Sequence, residues 1–191
     1  MKLILASTSP YRKIQLQRLY ADFTTDRPQV DEDDYKAQIA DPELLARRLA
    51  QLKAEDVFER HPEALVIGGD QVASFQGKIL GKPHTHQKAI EQLFIMQGQI
   101  HQLFTALHLK GPKISLDILE VTTLTMRNLT RAEIETYLRR DQPYDCAGSY
   151  KIEESGIKLF SHIMGDDKEA IMGVPLMKLQ THLLDLGFPL F

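Results

Sequence analysis

The run Leu65-Val66-Ile67-Gly68-Gly69-Asp70-Gln71-Val72 sets one carboxylate inside a stretch that otherwise reads as a buried strand. An acid at the end of such a strand stands where α/β proteins commonly place their ligand sites. The alternative is a turn aspartate. The apolar pattern resumes at Val72, however, and burying an acid that has no task is costly, so the functional reading of Asp70 is favoured. Ser7-Thr8-Ser9 lies between an apolar run and Pro10, with Arg12 and Lys13 within the following turn. Free N–H groups and the positive dipole end of a helix there would receive an anion such as phosphate. An N-capping loop with two solvated bases accounts for the same residues equally well, and the glycines of a Walker loop are missing.

Asp31, Glu32, Asp33 and Asp34 supply the hard oxygens that magnesium or manganese takes, although an acidic run alone is more often a solvated loop. Lys82, in Leu80-Gly81-Lys82-Pro83, follows a hairpin and could reach the same end of the sheet as Asp70. The histidines, His84 and His86 among them, do not fall on a helical zinc spacing. Cys146 has no identifiable activating base and reads as a packed residue.

These side chains must be positioned by a 191-residue chain whose 26 acidic and 23 basic residues give a net charge of −3. That balance argues against duplex nucleic acid as the main partner. No apolar run is long enough to span a bilayer, and a single cysteine indicates neither an oxidising compartment nor a zinc site built on cysteine pairs. A reducing cytoplasm is the expected location.

Leu3 to Ala6 reads as a buried strand, followed by Ser9 as N-cap and Pro10 at the first position of a helix whose inward face carries Leu16, Leu19, Tyr20 and Phe23. Val30 to Asp34 is expected as an acidic loop. A second helix runs from Asp41-Pro42 to Arg60 with Leu45, Leu49 and Leu52 inward. Residues 64 to 75 form a strand in which Gly68-Gly69 marks close backbone approach or a bulge, and Gln76-Gly77 turns a hairpin into Lys78 to Leu80. A helix over 86–96 turns Ile90, Leu93 and Phe94 inward. Strands follow over 100–109 and 114–126, the second with a phase shift near Leu119 that predicts a bulge. Thr130 and Glu133 form a capping box, a strand lies near 157–164, and the last helix places Leu176, Leu179, Leu183 and Leu186 inward before Gly187. The expectation is one α/β domain, residues 1–191, with a mixed sheet and flanking helices.

The segments Leu5 to Lys13, Val30-Asp31-Glu32, Lys53-Ala54, Gly69 to Val72, Gly81-Lys82-Pro83, Ala147 to Tyr150 and Gly173-Val174-Pro175 together resemble, in order, the Maf family of nucleoside triphosphate pyrophosphatases. The resemblance implies an elongated α/β fold with a mixed twisted sheet and two lobes around a central cleft, similar to the inosine triphosphatase fold. It also implies a frequent homodimer and cleavage between the α- and β-phosphates with a divalent metal. Within the family, the branch acting on 7-methyl-GTP has an aromatic residue, a glutamine and a glutamate where this sequence has Tyr11, Gln71 and Glu153. The positive charge of 7-methylguanine suits an aromatic face, and a carboxylate can accept from its N–H edge. The chain departs from the family in carrying Lys13 where arginine is common and Phe104-Thr105-Ala106 where Thr-Gly is usual.

By this resemblance Asp70 is the general base that holds the attacking water. Ser7, Ser9, Arg12, Lys13, Lys53 and Lys82 bind the substrate, the four cations neutralising the triphosphate. Glu32 and Asp70 are the candidates for metal contact, and the role implied is to remove a modified purine nucleotide before it enters nucleic acid. The competing expectation is a non-catalytic nucleotide-binding regulator of cell division.

Overall fold

The structure, a computed structural model, describes residues 1–189, and residues 190 and 191 of the expected domain lie outside the described residues. Its elements in chain order are β1 (Leu3–Ala6), α1 (Pro10–Leu19), β2 (Phe23–Asp26), α2 (Glu32–Gln38), α3 (Pro42–Arg60), β3 (Leu65–Phe75), β4 (Lys78–Leu80), α4 (His86–Met96), β5 (Ile100–Gly111), β6 (Ile114–Met126), α5 (Arg131–Asp141), β7 (Phe160–Met164) and α6 (Leu176–Asp185). The strands make one mixed sheet in the order β2-β1-β3-β5-β6-β7, with β4 attached to β3. β1 runs parallel to both β2 and β3, which is why it is a continuous apolar run with no polar alternation.

Side chains of β3 alternate between two differently covered faces. Ala64, Val66 and Val72 face α3, whose Leu45, Leu49, Ala50, Ala54 and Val57 cover them. On the opposite face, Leu65 and Ile67 pack with Leu16, Leu179 and Leu183 of α1 and α6. Ala73 and Phe75 instead pack with Ile90, Leu93, Ile134 and Leu138 of α4 and α5. The core on this face is therefore divided, and the division falls at Gly69 to Gln71. α3 can lie this close to the sheet because Gly68 has no side chain. A Cβ there would come within 2.2 Å of the Ala50 carbonyl oxygen and 2.5 Å of the Ala54 nitrogen.

The caps at Ser9, Asp41 and Thr130 form as their sequences dictate. Gln76 and Gly77 both take positive φ, +51° and +75°, as a tight two-residue hairpin requires. Several local expectations differ. Asp31 to Asp34 is not a loop: Asp31 accepts from the Asp33 N–H and caps α2, whose first turn gathers the remaining acids at its positive end. Phe23 does not extend α1 but opens β2, because Tyr20 has already turned extended and Phe23-Thr24-Thr25 pairs with β1. Phe94 is 52% exposed, lying one residue off the α4 stripe of Ala89, Ile90, Leu93 and Met96. The β5–β6 pairing runs without interruption. The apparent phase shift in β6 arises because apolar residues occupy both faces, and the one irregularity lies at Thr125/Met126 on the β7 side. The strand expected near 157 begins at Phe160, after a 3-10 turn over Gly156–Leu159.

Replacing Gly68 with alanine should force α3 off the sheet, since the atoms in the way are backbone. We expect a loss of about 1–3 kcal/mol of stability in denaturant titration. An unchanged midpoint would refute the close-approach reading.

Candidate active site

β5 pairs with β3 along one edge from Val66 to Ser74. On the other edge β1 covers Leu65 to Gly68 and β4 covers Ala73 to Phe75, so residues 69–72 have no strand partner there. Asp70 therefore lies in the middle of β3 and not at its end, because the antiparallel partner carries the strand on past the point where β1 stops. The strand end that matters is that of β1. There the chain leaves the sheet through Ser7 to Ser9 and enters α1, bringing a helix N-terminus to the gap.

Asp70 projects toward α3 and is buried, 8% exposed. Its Oδ1 accepts from Lys53 Nζ at 2.7 Å, and the same ammonium meets Glu32 Oε1 at 2.7 Å. Glu32 is bound in turn by Lys36 at 2.8 Å. Desolvation pushes the Asp70 pKa upward, and the opposing pull of Lys53 and Arg12 does not fully offset it. Partial burial acts on Glu32 in the same sense, but the ammonium groups of Lys53 and Lys36 overcome it and hold the carboxyl at about 2. Asp70 is thus an ionisable group made more basic by its site, with one oxygen fixed by Lys53. Its Oδ2 makes no hydrogen bond to a described residue.

Arg12 enters from the first turn of α1. Its Nε donates to the Gly173 carbonyl at 3.3 Å, and its terminal nitrogens hydrogen-bond to none of the described residues. Burial lowers the guanidinium pKa, with Asp70 and Glu32 opposing the shift. An arginine remains charged under such a shift, so two N–H-bearing nitrogens are left for an anion. Ser7 and Ser9 stiffen the adjacent loop: Ser7 Oγ accepts from the Ser9 N–H at 3.1 Å and Ser9 Oγ from the Arg12 N–H at 3.4 Å.

Gln71, on the opposite face from Asp70, faces the divided core. Its Nε2 donates to Thr105 Oγ1 at 2.8 Å, and to the carbonyls of Ala170 at 3.0 Å and Ile171 at 3.3 Å. These carbonyls belong to a 3-10 turn, Lys168–Met172, that Gln15 also holds by donating to the Glu169 carbonyl at 2.7 Å. Tyr11 is within electrostatic range of Glu153: its pKa is raised by desolvation and by Glu153, while Lys151 opposes. The structure does not bring all the expected cations together. Lys13 is exposed in the first turn of α1 and has no ion pair among the described residues. Lys82 is exposed in the loop after β4 and likewise lacks a contact to Asp70, although the chain leaves β4 heading toward the gap beside Asp70. Both are long solvated side chains with no acid near enough to fix them.

Thr105 and Gln15 escaped the reading of the residues. The signal for Thr105 is a hydroxyl in the middle of an apolar strand, and it is fully buried. Lys53 entered through resemblance alone, yet it interrupts the four-residue spacing Leu45, Leu49, Lys53, Val57 on the buried stripe of α3. A lysine in such a stripe needs a buried partner.

No group of three or more His, Cys, Asp or Glu side chains that could hold a metal occurs among the described residues. The hard oxygens of Asp70 and Glu32, with Asp70 Oδ2 unpartnered, nonetheless suit a hydrated magnesium-like ion. Such an ion takes one or two carboxylates and completes its shell with water and phosphate.

A family model described as Maf-like protein matches residues 2–186. The chain belongs to the Maf family. Among its relatives, a 7-methyl-GTP pyrophosphatase of Xanthomonas axonopodis pv. citri is 47% identical over 187 residues, covering 98% of this chain and 97% of the relative. A 7-methyl-GTP pyrophosphatase of Bdellovibrio bacteriovorus is 46% identical over 178 residues, 93% of each. The solved structure of the Staphylococcus aureus Ham1 protein has the same α/β fold, with a TM-score of 0.52 at 14% identity over 97% of this chain and 100% of that one. The Maf chain has no helix, among the described residues, that is long and apolar enough to cross a membrane.

Removing the ammonium of Lys53 should raise the Asp70 pKa further, because it takes away the main charge that opposes desolvation. A carboxyl-carbon NMR titration should place Asp70 above the ordinary aspartate value of about 3.9 in the wild type, and higher again in Lys53→Met. A downward shift in the variant would contradict the charge arrangement.

Proposed function

We propose that this chain is a nucleoside triphosphate pyrophosphatase acting on 7-methyl-GTP or a related modified purine nucleotide, releasing the monophosphate and pyrophosphate. What carries the reading is one buried carboxylate, its Oδ1 held by Lys53 and its Oδ2 unpartnered, set beside the Arg12 guanidinium at the N-terminus of α1. The names of relatives more than 40% identical over nearly the whole chain support the substrate.

Water lodged against Asp70 Oδ2 attacks the α-phosphorus and gives its proton to that oxygen, and the α–β anhydride bond breaks to release pyrophosphate. Lys53 fixes the carboxylate so that its free oxygen points one way, which keeps the water within hydrogen-bond reach. Arg12 receives phosphate oxygens on its two free nitrogens, and the amides of the Ser7 to Ser9 loop lie at the positive end of α1. Lys13 and Lys82 close on the phosphates from the rim once an anion is there to hold them. Asp70 and Glu32 would hold a Mg²⁺ or Mn²⁺ ion with the triphosphate, and that ion, when bound, supplies charge neutralisation. Tyr11 offers its ring to the cationic purine, Glu153 accepts from the base N–H edge, and Gln71 lines the same cleft. A homodimer in the cytoplasm completes the proposal.

A nucleotide panel with magnesium or manganese, read by pyrophosphate release, tests this reading. We expect 7-methyl-GTP to exceed dTTP and UTP, and Asp70→Asn to lose about 10²–10⁴-fold in turnover with its fold retained. Release of orthophosphate in place of pyrophosphate would sink the reaction. Nucleotide binding without hydrolysis under every metal would instead point to the regulator.

A further inference from the structure

Leu80 ends β4 opposite Ala73, and from there the chain heads toward the edge of β3 at which residues 69–72 have no strand partner. Gly81 and Lys82 come next. Gly81 has no side chain, and nothing lies within 4 Å of where a Cβ would stand, so sterics do not fix its backbone. Its carbonyl accepts from Nε2 of Gln92, on α4, at 2.9 Å, the only hydrogen bond that Gly81 or Lys82 makes among the described residues. The next anchors along the chain are the buried Pro83 and the His84 N–H, which donates to the Tyr144 carbonyl at 2.9 Å. The Gly81 carbonyl and the Lys82 N–H belong to one rigid peptide plane. Whatever orients that carbonyl therefore orients the backbone from which the Lys82 side chain leaves.

The other end of the same amide is also taken. Gln92 Oε1 accepts from the Ser149 hydroxyl. Ser149 is fully buried and takes a φ of +63°, directly after Gly148 at +79°. A serine is seldom left-handed, and the bond to Gln92 is the one that its side chain makes among the described residues. A Cβ on Gly148 would lie 3.7 Å from the Ala73 Cβ, so this turn rests on the same residue that β4 ends against. The orientation of the amide is forced: a carbonyl oxygen only accepts, so the nitrogen must face Gly81 and the oxygen Ser149. Gln92 thus joins two loops that meet β3 at Ala73, one beginning at Gly81 and the other ending at Ser149.

We propose that Gln92 is a positioning residue that aims Lys82 at the bound phosphates by fixing the Gly81–Lys82 peptide, with the Ser149 hydroxyl holding the amide in that orientation. Gln92 is half-buried and makes no hydrogen bond to Asp70, Lys53 or Arg12, so its effect reaches the phosphates only through Lys82. A lysine on an unfixed peptide must be ordered when the anion arrives, and that entropy is subtracted from binding. The inference rests on the phosphate-binding role proposed for Lys82, but it concerns binding and is measurable without turnover.

The test measures dissociation constants for inorganic tripolyphosphate, which has neither base nor sugar, by calorimetry on wild type, Gln92→Met, Lys82→Met and the double variant. Methionine keeps the length and neutrality of glutamine and makes neither hydrogen bond. We expect each single substitution to weaken tripolyphosphate about fivefold, the scale of one ordinary hydrogen bond. The double variant should bind no more weakly than Lys82→Met alone, because Gln92 acts through that lysine. Backbone 15N relaxation of Gln92→Met should show the Lys82 amide gaining motion while the amides of α4 stay rigid, which also establishes that the variant folds. In turnover of 7-methyl-GTP, Gln92→Met should raise KM and leave kcat nearly unchanged. If the losses from the two substitutions add, Gln92 is only structural and the inference fails. It fails equally if Gln92→Met binds as the wild type does, if Lys82→Met has no effect, or if the wild type does not bind tripolyphosphate. The full binding pattern with no pyrophosphate release from any nucleotide would uphold the inference and overturn the enzymatic reading.

Discussion

Asp70 cannot be a buried, usable carboxylate without Lys53. The 2.7 Å contact between them forms where α3 lies against β3, and it converts what would be an uncompensated charge in the core into half of an ion pair. The contact requires α3 to approach within backbone distance of the strand, which Gly68 alone permits two residues earlier on the same face. β1 ends opposite Gly68, so the edge of β3 at the buried Asp70 meets the loop into α1 and not another strand. One ion pair, one glycine and one strand end thus account for the placement of the site.

The two faces of β3 divide the work. Even-numbered residues look toward α3, and there the charges collect: Asp70, Lys53 and, beyond them, Glu32 and Lys36. Odd-numbered residues look toward the divided core, where Gly69 lies against Leu107 and Arg12 and Gln71 meets the 3-10 turn. Two adjacent residues, Asp70 and Gln71, are for this reason committed to different surroundings, one to the ion-pair network with α3 and the other to the 3-10 turn over Lys168–Met172. Arg12 joins the two faces, held by a carbonyl on one and drawn electrostatically by carboxylates on the other.

Much of the scaffold was legible because it depends on neighbours in sequence. Ser9-Pro10, Asp41-Pro42 and the Thr130 to Glu133 box announce helix starts through bonds that span three residues or fewer. The hairpin at Gln76-Gly77 and the close approach at Gly68 were likewise readable, since each needs only a residue type at a place in a strand. The acidic segment was not, because four acids in a row describe a solvated loop and the first turn of a helix equally well. Phe94 misled for a related reason: a shift of one residue turns a helical side chain by about 100°, enough to move it from core to solvent.

By itself the sequence determined which elements form, where most begin, and that a carboxylate lies within one apolar strand and an arginine in the first turn after another. Tertiary structure alone decided that Lys53 serves Asp70, that Lys13 and Lys82 stay exposed, and that Gln71 meets Thr105 and the carbonyls of the 3-10 turn. The physical reason is range. Caps, turns and periodicity are settled by forces within a few residues, whereas the partner of a buried charge or amide is set by strand register and by how closely a helix may approach. Those quantities exist only after residues far apart in the chain have packed.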